Sequence, residues 1–210
     1  MTMIVGINLD KYIIVAADRR EVSIVNGEVA SIRSDEVNKF VQWNGGIITG
    51  CGYVPLLSYL KESLKSTDIA NTNQIVSLTK KVLADNPHIA KEWKSQTNWM
   101  FNYLTAGDKR NECRLGFISS DSPDEVRMLY PYHSTIWAKL PDLENRILNL
   151  NKSLMPLKEG DDFSENFEYH LRLISELFEY GASVDMTVCN EFDFYLQHCN
   201  GEDYFSWQEA

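Results

Sequence analysis

The stretch that decides the fold is Met3–Ala17, with the sequence MIVGINLDKYIIVAA. It holds two runs rich in Ile and Val, Met3–Leu9 and Tyr12–Ala17, and a polar turn lies between them at residues 8–11. β-Branched side chains are enriched in strands, and short apolar runs bounded by turn residues are typical of strands buried on both faces. The sequence therefore predicts a buried antiparallel hairpin at its start.

Two further hairpins are predicted directly after this one. Strand-like runs flank Asn26–Gly27, and Asn44–Gly45 joins the runs Val37–Trp43 and Gly46–Thr49. Asn-Gly pairs favour the tight turns whose twist matches that of antiparallel strands. The first fifty residues are thus expected to form three successive hairpins.

The period of the apolar residues then changes from two to 3.6, which indicates helices. Pro55 fits the first turn of one helix, and a second helix is predicted from about Thr72 to Asp85, ended by Asn86–Pro87. The apolar faces that support these two helices are Leu57, Leu60 and Leu64 in the first and Ile75, Leu78 and Val82 in the second.

Strands return in the second half of the chain, around one more long helix. The predicted strands are Trp99–Thr105, Arg114–Ser119, Val126–Tyr130, Thr187–Val188, Phe192–His198 and Tyr204–Trp207. Residues 131–163 give only a short helix, Leu143–Asn149. Ser164 is predicted to cap the long helix. The apolar face of that helix is Phe167, Leu171, Ile174 and Phe178.

This order of elements, with strands and helices in separate blocks, predicts an α+β fold. Two stacked antiparallel sheets with helices outside both, a four-layer αββα sandwich, would bury these apolar strands. At 210 residues the chain is long enough for one substantial core and short for two, so we expect a single domain over residues 1–210.

Composition excludes several classes of protein. The net charge is −10, and residues 159–210 hold 13 acidic side chains and one basic one, which disfavours binding to nucleic acid. No apolar run is long enough to span a membrane. The four cysteines show no metal-binding or disulfide spacing, so we expect reduced thiols, a cytoplasmic protein, no metal and no cofactor.

Thr2 is the first candidate for chemistry, because removal of Met1 would leave it at the N-terminus. The residue would then carry a hydroxyl nucleophile and its own α-amine, which titrates near ~8 and can act as the base. Three other features follow at a suggestive spacing: Ala16-Ala17-Asp18-Arg19-Arg20, then Val37-Asn38-Lys39-Phe40, then Thr49-Gly50-Cys51-Gly52.

With these motifs the sequence resembles the bacterial type of the proteasome β-subunit family of N-terminal nucleophile (Ntn) hydrolases. The resemblance implies the Ntn hydrolase fold and the roles of five residues. Thr2 would be the nucleophile, Asp18 and Arg20 the Asp-x-Arg motif, Lys39 the lysine beside the nucleophile, and Gly50 the donor of an oxyanion N–H. A lysine ammonium would lower the pKa of the hydroxyl, and a backbone N–H would stabilise the developing oxyanion.

The resemblance also has gaps. Asp185 matches the Asp of the family's late Asp-x-x-Ser motif, but Val188 stands where the serine belongs. The Ser-Gly-Ser element has no counterpart, and His133-Ser134-Thr135 is the nearest stretch in that area. These changes affect the groups that position the amine of the nucleophile and leave Thr2, Asp18 and Lys39 in place.

Three functions therefore remain open. The chain is expected to be a threonine-type amide-bond hydrolase that acts as a peptidase, a catalytically inactive proteasome-like subunit that serves assembly or interaction, or an Ntn amidase for small molecules. By resemblance we expect a homo-oligomer, in the form of a ring, and a peptide or amide substrate. Cys51 beside Gly50 lacks a visible base, so we expect it to be a structural thiol.

Overall fold

A computed structural model of the chain describes residues 2–25, 28–69, 71–108 and 110–206. Its strands are β1 Ile4–Asn8, β2 Tyr12–Asp18, β3 Glu21–Val25, β4 Glu28–Ser34, β5 Val41–Trp43, β6 Gly46–Cys51, β7 Asn98–Ala106, β8 Asn111–Ser119, β9 Ser122–Leu129, β10 His133–Trp137, β11 Phe192–His198 and β12 Asp203–Phe205. Its helices are α1 Val54–Lys65, α2 Thr72–Asp85, α3 Lys91–Ser95, α4 Leu143–Ser153 and α5 Phe163–Val184.

Two five-stranded sheets form the centre of the fold. The first has the strand order β10-β1-β2-β11-β12 and the second the order β5-β6-β7-β8-β9, and every neighbouring pair is antiparallel. Strands β3 and β4 pair only with each other, as a separate hairpin. The three predicted hairpins are confirmed, although the turn residues Asn26 and Gly27 lie outside the described residues.

Three clusters of buried side chains define four layers. One lies between the two sheets and includes Ile13 of β2 and Leu115 of β8. A second lies between the first sheet and helices α4 and α5, and a third between the second sheet and helices α1 and α2. The α+β class and the stacked antiparallel sheets are therefore confirmed, in the layer order α-β-β-α.

The opening hairpin has both of its faces buried, as its apolar composition predicts. Along β1, Ile4 faces the core between the sheets while Val5 faces the helices, and the alternation continues through β2. A Cβ on Gly6 would lie 2.9 Å from Cδ2 of Leu115 and 3.0 Å from Sδ of Met100, so these two side chains would have to shift to admit a larger residue. The glycine thus lets both side chains of the second sheet pack closely on the first strand.

The helices follow their predicted apolar faces. α1 has Pro55 in its first turn and buries Leu57, Leu60 and Leu64, and the predicted bounds of α2 agree with the structure. Among the helices that the structure describes, none is both long and apolar enough to cross a membrane.

Several predictions about local structure were wrong. α5 is capped by Asp162, whose side chain accepts a hydrogen bond from the N–H of Glu165, and not by Ser164. Thr187–Val188 is not a strand, because the N–H of Val188 donates to the carbonyl of Asp185 and closes a turn. β10 and α3 were not predicted, α4 is longer than expected, and β12 covers Asp203–Phe205 instead of Tyr204–Trp207, of which Trp207 lies outside the described residues.

Residues 37–40 were expected to begin the fifth strand, but β5 begins only at Val41. The N–H of Val37 donates to the carbonyl of Arg19, and the side chain of Asn38 accepts from the N–H of Phe40. These bonds take the segment out of the sheet and turn it toward the end of β2. This departure from regular strand structure places Lys39.

Candidate functional site

Asp18 is the centre of the candidate site. It ends β2 and is fully buried. Its Oδ1 accepts hydrogen bonds from the N–H of Met3 at 2.8 Å and from Nζ of Lys39 at 2.7 Å, and its Oδ2 accepts from the N–H of Arg20 at 3.0 Å. Both oxygens thus face N–H donors, and hydrogen bonds of this kind favour the ionised form of the carboxyl.

Lys39 reaches Asp18 from the turn before β5. The residue is buried, with 7% of its surface exposed, and its carbonyl accepts a hydrogen bond of 3.0 Å from Oγ1 of Thr49 in β6. The backbone of Lys39 is therefore fixed to the strand that carries Gly50. The buried side chain of Lys39 points toward Asp18. Among the described residues, Asp18 is the only carboxylate that forms an ion pair with it.

Burial dominates the electrostatics of this pair. It raises the pKa of Asp18, against the opposing effects of the Lys39 ammonium and the two backbone N–H groups. It also lowers the pKa of Lys39, against the attraction of Asp18. Each ion stabilises the charged form of the other. Loss of either partner would leave the remaining group in an environment that favours its neutral form.

The backbone next to Thr2 contacts the Asp18–Lys39 pair. The N–H of Met3, which donates to Asp18, is part of the Thr2–Met3 peptide bond, so the carboxylate lies directly beside Thr2 in the chain. The side chain of Thr2 is half-buried and makes no hydrogen bond within the described residues. The structure thus places the Asp18–Lys39 pair beside the Thr2–Met3 peptide bond, while the catalytic roles of the three residues stay a prediction.

Arg20 connects this site to the turn after α5. Its guanidinium forms a bidentate pair with Asp35, with distances of 2.6 Å and 2.8 Å. Its Nη1 also donates to the carbonyls of Met186 at 3.0 Å and of Val188 at 3.1 Å. The planar fork of Arg thereby links β2, the segment after β4 and the turn at residues 185–188.

Asp185, a predicted site residue, does not contact the Asp18–Lys39 pair. Its Oδ1 accepts from the N–H of Thr187 at 2.8 Å and from Oγ1 of Thr187 at 2.7 Å. Thr187 thus supplies the hydroxyl partner of Asp185, while Val188 is buried in the core. Asp185 shapes the turn whose carbonyls bind Arg20, and its connection to the site runs through that arginine.

Gly50 lies in β6 beyond the pairing with β5, which ends at Val41↔Ile48. A Cβ at this position would lie 2.7 Å from the carbonyl oxygen of Asn98 and 2.7 Å from Cδ2 of Leu57. Gly52 is needed for a different reason, a φ of +122°. Cys51 lies between these two glycines. Burial raises the pKa of its thiol to about 11, which agrees with a structural thiol.

The stretch His133-Ser134-Thr135 does not lie beside Thr2. In β10, Ser134 pairs with Ile7 and Trp137 pairs with Ile4, so this stretch borders the far half of β1. The hydroxyl of Ser134 donates to Asn151. The residues that follow β10 toward the Thr2 end are Ala138, Lys139 and Leu140, none of which has a hydroxyl.

Sequence reasoning missed two charged partners around the site. Arg19 donates from Nε and Nη2 to Oδ1 of Asp193, at 3.0 Å and 2.5 Å, and Asp193 pairs with Ala17 across β2 and β11. Asp35, the partner of Arg20, was also missed. The sequence feature that could have indicated Asp193 is an acidic residue inside the apolar strand Phe192–His198. Asp35 follows a polar strand, and nothing in the sequence sets it apart from the polar residues around it.

No group of three or more His, Cys, Asp or Glu side chains is placed to hold a metal ion within the described ranges.

Comparison with known proteins supports the fold. No family model and no curated protein sequence matches the chain. Among solved structures it is similar to the Gly-1 mutant of Anbu from Hyphomicrobium sp. strain MC1, with a TM-score of 0.63 and 13% sequence identity. The match covers 98% of this chain and 88% of the other. Anbu is a bacterial proteasome-like protein related to the Ntn hydrolases, and at this identity the similarity shows a common fold.

Proposed function

We propose that the chain is an N-terminal threonine hydrolase of amide bonds, with Thr2 as its nucleophile after removal of Met1. The observation that carries the proposal is the position of Asp18 Oδ1. This oxygen accepts from the Thr2–Met3 peptide N–H and from Lys39 at the same time. A buried carboxylate that binds both the backbone of the first residue and an ammonium is suited to position a reactive N-terminal residue.

The reaction would proceed by acyl transfer. The α-amine of Thr2 takes the proton from its own Oγ1, and the oxygen attacks the carbonyl carbon of the substrate to form a tetrahedral intermediate. A backbone N–H at Gly50 or Cys51 donates to the oxyanion. Collapse breaks the C–N bond, the ammonium gives its proton to the leaving amine, and an ester on Thr2 remains. Water activated by the amine then hydrolyses the ester and regenerates Thr2.

The other residues have supporting roles in this proposal. Lys39 shares the Oδ1 atom of Asp18 with the Thr2–Met3 N–H and would favour the Thr2 alkoxide electrostatically, while Asp18 orients Lys39 and favours its charged form. Arg20 positions the end of β2 against the turn at residues 185–188, and Asp185 shapes that turn through Thr187. These two are positioning residues, since neither contacts the Asp18–Lys39 pair with its side chain.

A peptide is the substrate that we propose, and a homo-oligomer is the proposed assembly. The proteasome-like fold supports both, and Anbu belongs to a proteasome-like oligomeric family. Light scattering on the purified chain would measure its mass. A mass of about 24 kDa, that of the single chain, would contradict the assembly and leave the chemistry to be tested separately.

Two measurements test the function. Intact-mass analysis of protein expressed without an N-terminal tag should show the loss of Met1, because a retained Met1 blocks the α-amine. A threonine-directed electrophile should then label the protein once per chain, and Thr2→Ala should remove the labelling while the melting temperature stays the same. Labelling of the Thr2→Ala variant at the wild-type rate would contradict the proposal.

One observation favours a second candidate, a proteasome-like subunit without catalytic activity. The register of β10 places Ala138, Lys139 and Leu140 toward the Thr2 end, and Val188 stands in place of the late serine, so the hydroxyls expected around the amine are absent from these positions. Retention of Met1 in the purified protein, together with a stable oligomer, would support this candidate over the hydrolase.

A further inference from the structure

Lys61 of α1 is a cation for which the described residues provide no counter-ion. It is half-buried, and it forms no ion pair or hydrogen bond with any residue that the structure describes. The two lysines whose charges act on Lys61 have carboxylate partners of their own, Asp18 for Lys39 and Glu62 for Lys65. Burial lowers the pKa of Lys61 to about 8, with further lowering from the positive charges of Lys39 and Lys65.

The course of α1 directs this side chain toward the candidate site. α1 begins just after β6 and packs over it, so that Leu57 touches Gly50. Lys61 follows Leu57 by four residues and therefore lies on the same face of the helix, one turn further along. Helical side chains lean toward the N-terminus of their helix. We therefore expect the stem of Lys61 to lean back toward Leu57, which packs on Gly50, and the charge of Lys39 acts on its ammonium.

The charges of Asp18, Lys39 and Lys61 do not sum to zero. Asp18 and Lys39 neutralise each other as an ion pair of 2.7 Å, and Lys61 adds a positive charge that repels Lys39. A half-buried ammonium loses hydration, and this loss is compensated when an anion binds beside it. An ordinary surface lysine such as Lys65, with 62% of its side chain exposed, has no such deficit.

We infer that Lys61 forms an anion subsite beside Thr2 and that this subsite binds a carboxylate of the substrate. The inference rests on the proposed function for the statement that the ligand is a substrate, while the subsite itself rests on the position of Lys61. The carboxylate belongs either to an acidic side chain next to the bond that is cleaved or to the C-terminus of a short peptide.

Binding to a variant that cannot react separates the subsite from the catalysis. Three peptides would be titrated by calorimetry into the Thr2→Ala protein: acetyl-Ala-Ala-Glu-amide, acetyl-Ala-Ala-Gln-amide and acetyl-Ala-Ala-Gln with a free carboxylate. We expect one of the two anionic peptides to bind about tenfold more tightly than the neutral amide. Preference for the Glu peptide identifies a side-chain carboxylate as the ligand, and preference for the free acid identifies a terminal one.

Variants of the helix then assign the effect to Lys61. Lys61→Met should abolish the preference, Lys61→Arg should keep it, and Lys65→Met, the same substitution at an exposed position of the same helix, should leave it unchanged. Thermal melting checks that each variant is folded. Should Lys61→Met fail to fold, loss of the preference in Lys61→Gln carries the same meaning.

Two results would overturn the inference. One is that all three peptides bind the folded Thr2→Ala protein equally, or do not bind measurably. Lys61 would then only cover apolar surface with its stem and keep its ammonium in water. The other is a carboxylate preference that survives in Lys61→Met. Failure of the wild-type protein to hydrolyse any peptide would contradict the proposed function and leave the binding result standing.

Discussion

Nζ of Lys39 lies 2.7 Å from Oδ1 of Asp18, and neither side chain is more than 9% exposed. Oppositely charged groups at this depth lose most of their hydration, and their mutual attraction has to offset that loss. The pair is therefore sensitive to the removal of one partner. It is less sensitive to the removal of both.

Lys39→Met should lower the free energy of unfolding by about 3–5 kcal/mol, because it leaves the Asp18 carboxylate buried without a counter-ion. The double variant Asp18→Asn with Lys39→Met should recover part of this loss. Denaturant titration measures both. Lys80→Ala, which breaks an exposed pair with Asp124, is the control and should cost at most about 1 kcal/mol. A cost for Lys39→Met as small as that of Lys80→Ala would contradict the importance of the buried pair.

Arg20 and Asp35 should differ in their contributions, although they form one ion pair. Asp35→Asn loses only an interaction at a carboxylate that is 44% exposed, so we expect a cost below about 1 kcal/mol. Arg20→Met also leaves the carbonyls of Met186 and Val188 without their donor, and we expect a cost of about 2–3 kcal/mol.

The same denaturant titrations test this difference, with labelling of Thr2 as a second readout. Loss of Arg20 should slow the labelling, because it releases the turn at residues 185–188 from the end of β2. Equal costs for the two variants would mean that the two carbonyl contacts contribute little.

Gly50→Ala should destabilise the protein by about 1–3 kcal/mol, the usual cost of overpacking. The new Cβ would lie 2.7 Å from the backbone carbonyl of Asn98, so the end of β6 has to move away from β7. Gly160→Ala is a useful comparison. It has a φ of +89° and no atom within 4 Å of the added Cβ, so it tests strain in the backbone without a clash. A Gly50→Ala variant with wild-type stability and labelling would exclude a tight fit at this position.

The opening hairpin and the Asp18–Lys39 pair could be predicted from the sequence because their signals are local. The runs around β1 and β2 are apolar without interruption, and Asp18 and Lys39 lie in short motifs at recognisable spacing. The loop before β5 was harder, because Val37–Trp43 is rich in apolar residues and precedes the hairpin signal Asn44–Gly45. The bond of Val37 to Arg19, which is distant in sequence, and the turn at Asn38 take the loop out of the sheet.

Elements that depend on distant partners could not be predicted. β10 is a five-residue edge strand that pairs with β1, and of its residues Ser134 and Ile136 are buried while the other three are partly or fully exposed. The Asp185 turn resembles a strand in sequence, because Thr187 and Val188 are β-branched. It is the hydrogen bonding of Asp185 to its own neighbours that closes it. Lys61 carries no motif, and only the packing of α1 on β6 gives it significance.

His170 should make stability depend on pH. It is fully buried, its Nε2 accepts from the N–H of Met155 at 3.1 Å, and burial lowers its pKa below the ordinary value of 6.5. Below pH 6.5 the unfolded chain binds a proton at this position that the folded chain does not bind. The free energy of unfolding should therefore fall as the pH falls, until the folded pKa is passed, with a slope of up to about 1.4 kcal/mol per pH unit.

Urea titrations between pH 4 and pH 8 would measure this dependence. His170→Gln should reduce the slope below pH 6.5, whereas His88→Gln, at an exposed position, should leave it unchanged. Equal slopes for the wild-type protein and the His170→Gln variant would show that His170 does not bind its proton differently in the two states.

Thr2→Val separates the chemistry of Thr2 from its packing. Valine keeps the shape of threonine and removes the hydroxyl, and the side chain of Thr2 makes no hydrogen bond within the described residues. The free energy of unfolding should therefore change by less than about 0.5 kcal/mol, as for surface substitutions that break no specific contact. Labelling by a threonine-directed electrophile should nevertheless be lost completely, because the attacking oxygen is gone.

Thr2→Ser is the matched control, since it keeps the hydroxyl and loses only the methyl group. It should still be labelled, at a reduced rate, because serine rotates more freely about χ1 than a β-branched residue. Intact mass has to show first that Met1 is removed from all three proteins. Equal labelling of the processed wild-type and Thr2→Val proteins would place the reactive group elsewhere in the chain, and Thr2 would then be only the residue that leads into β1.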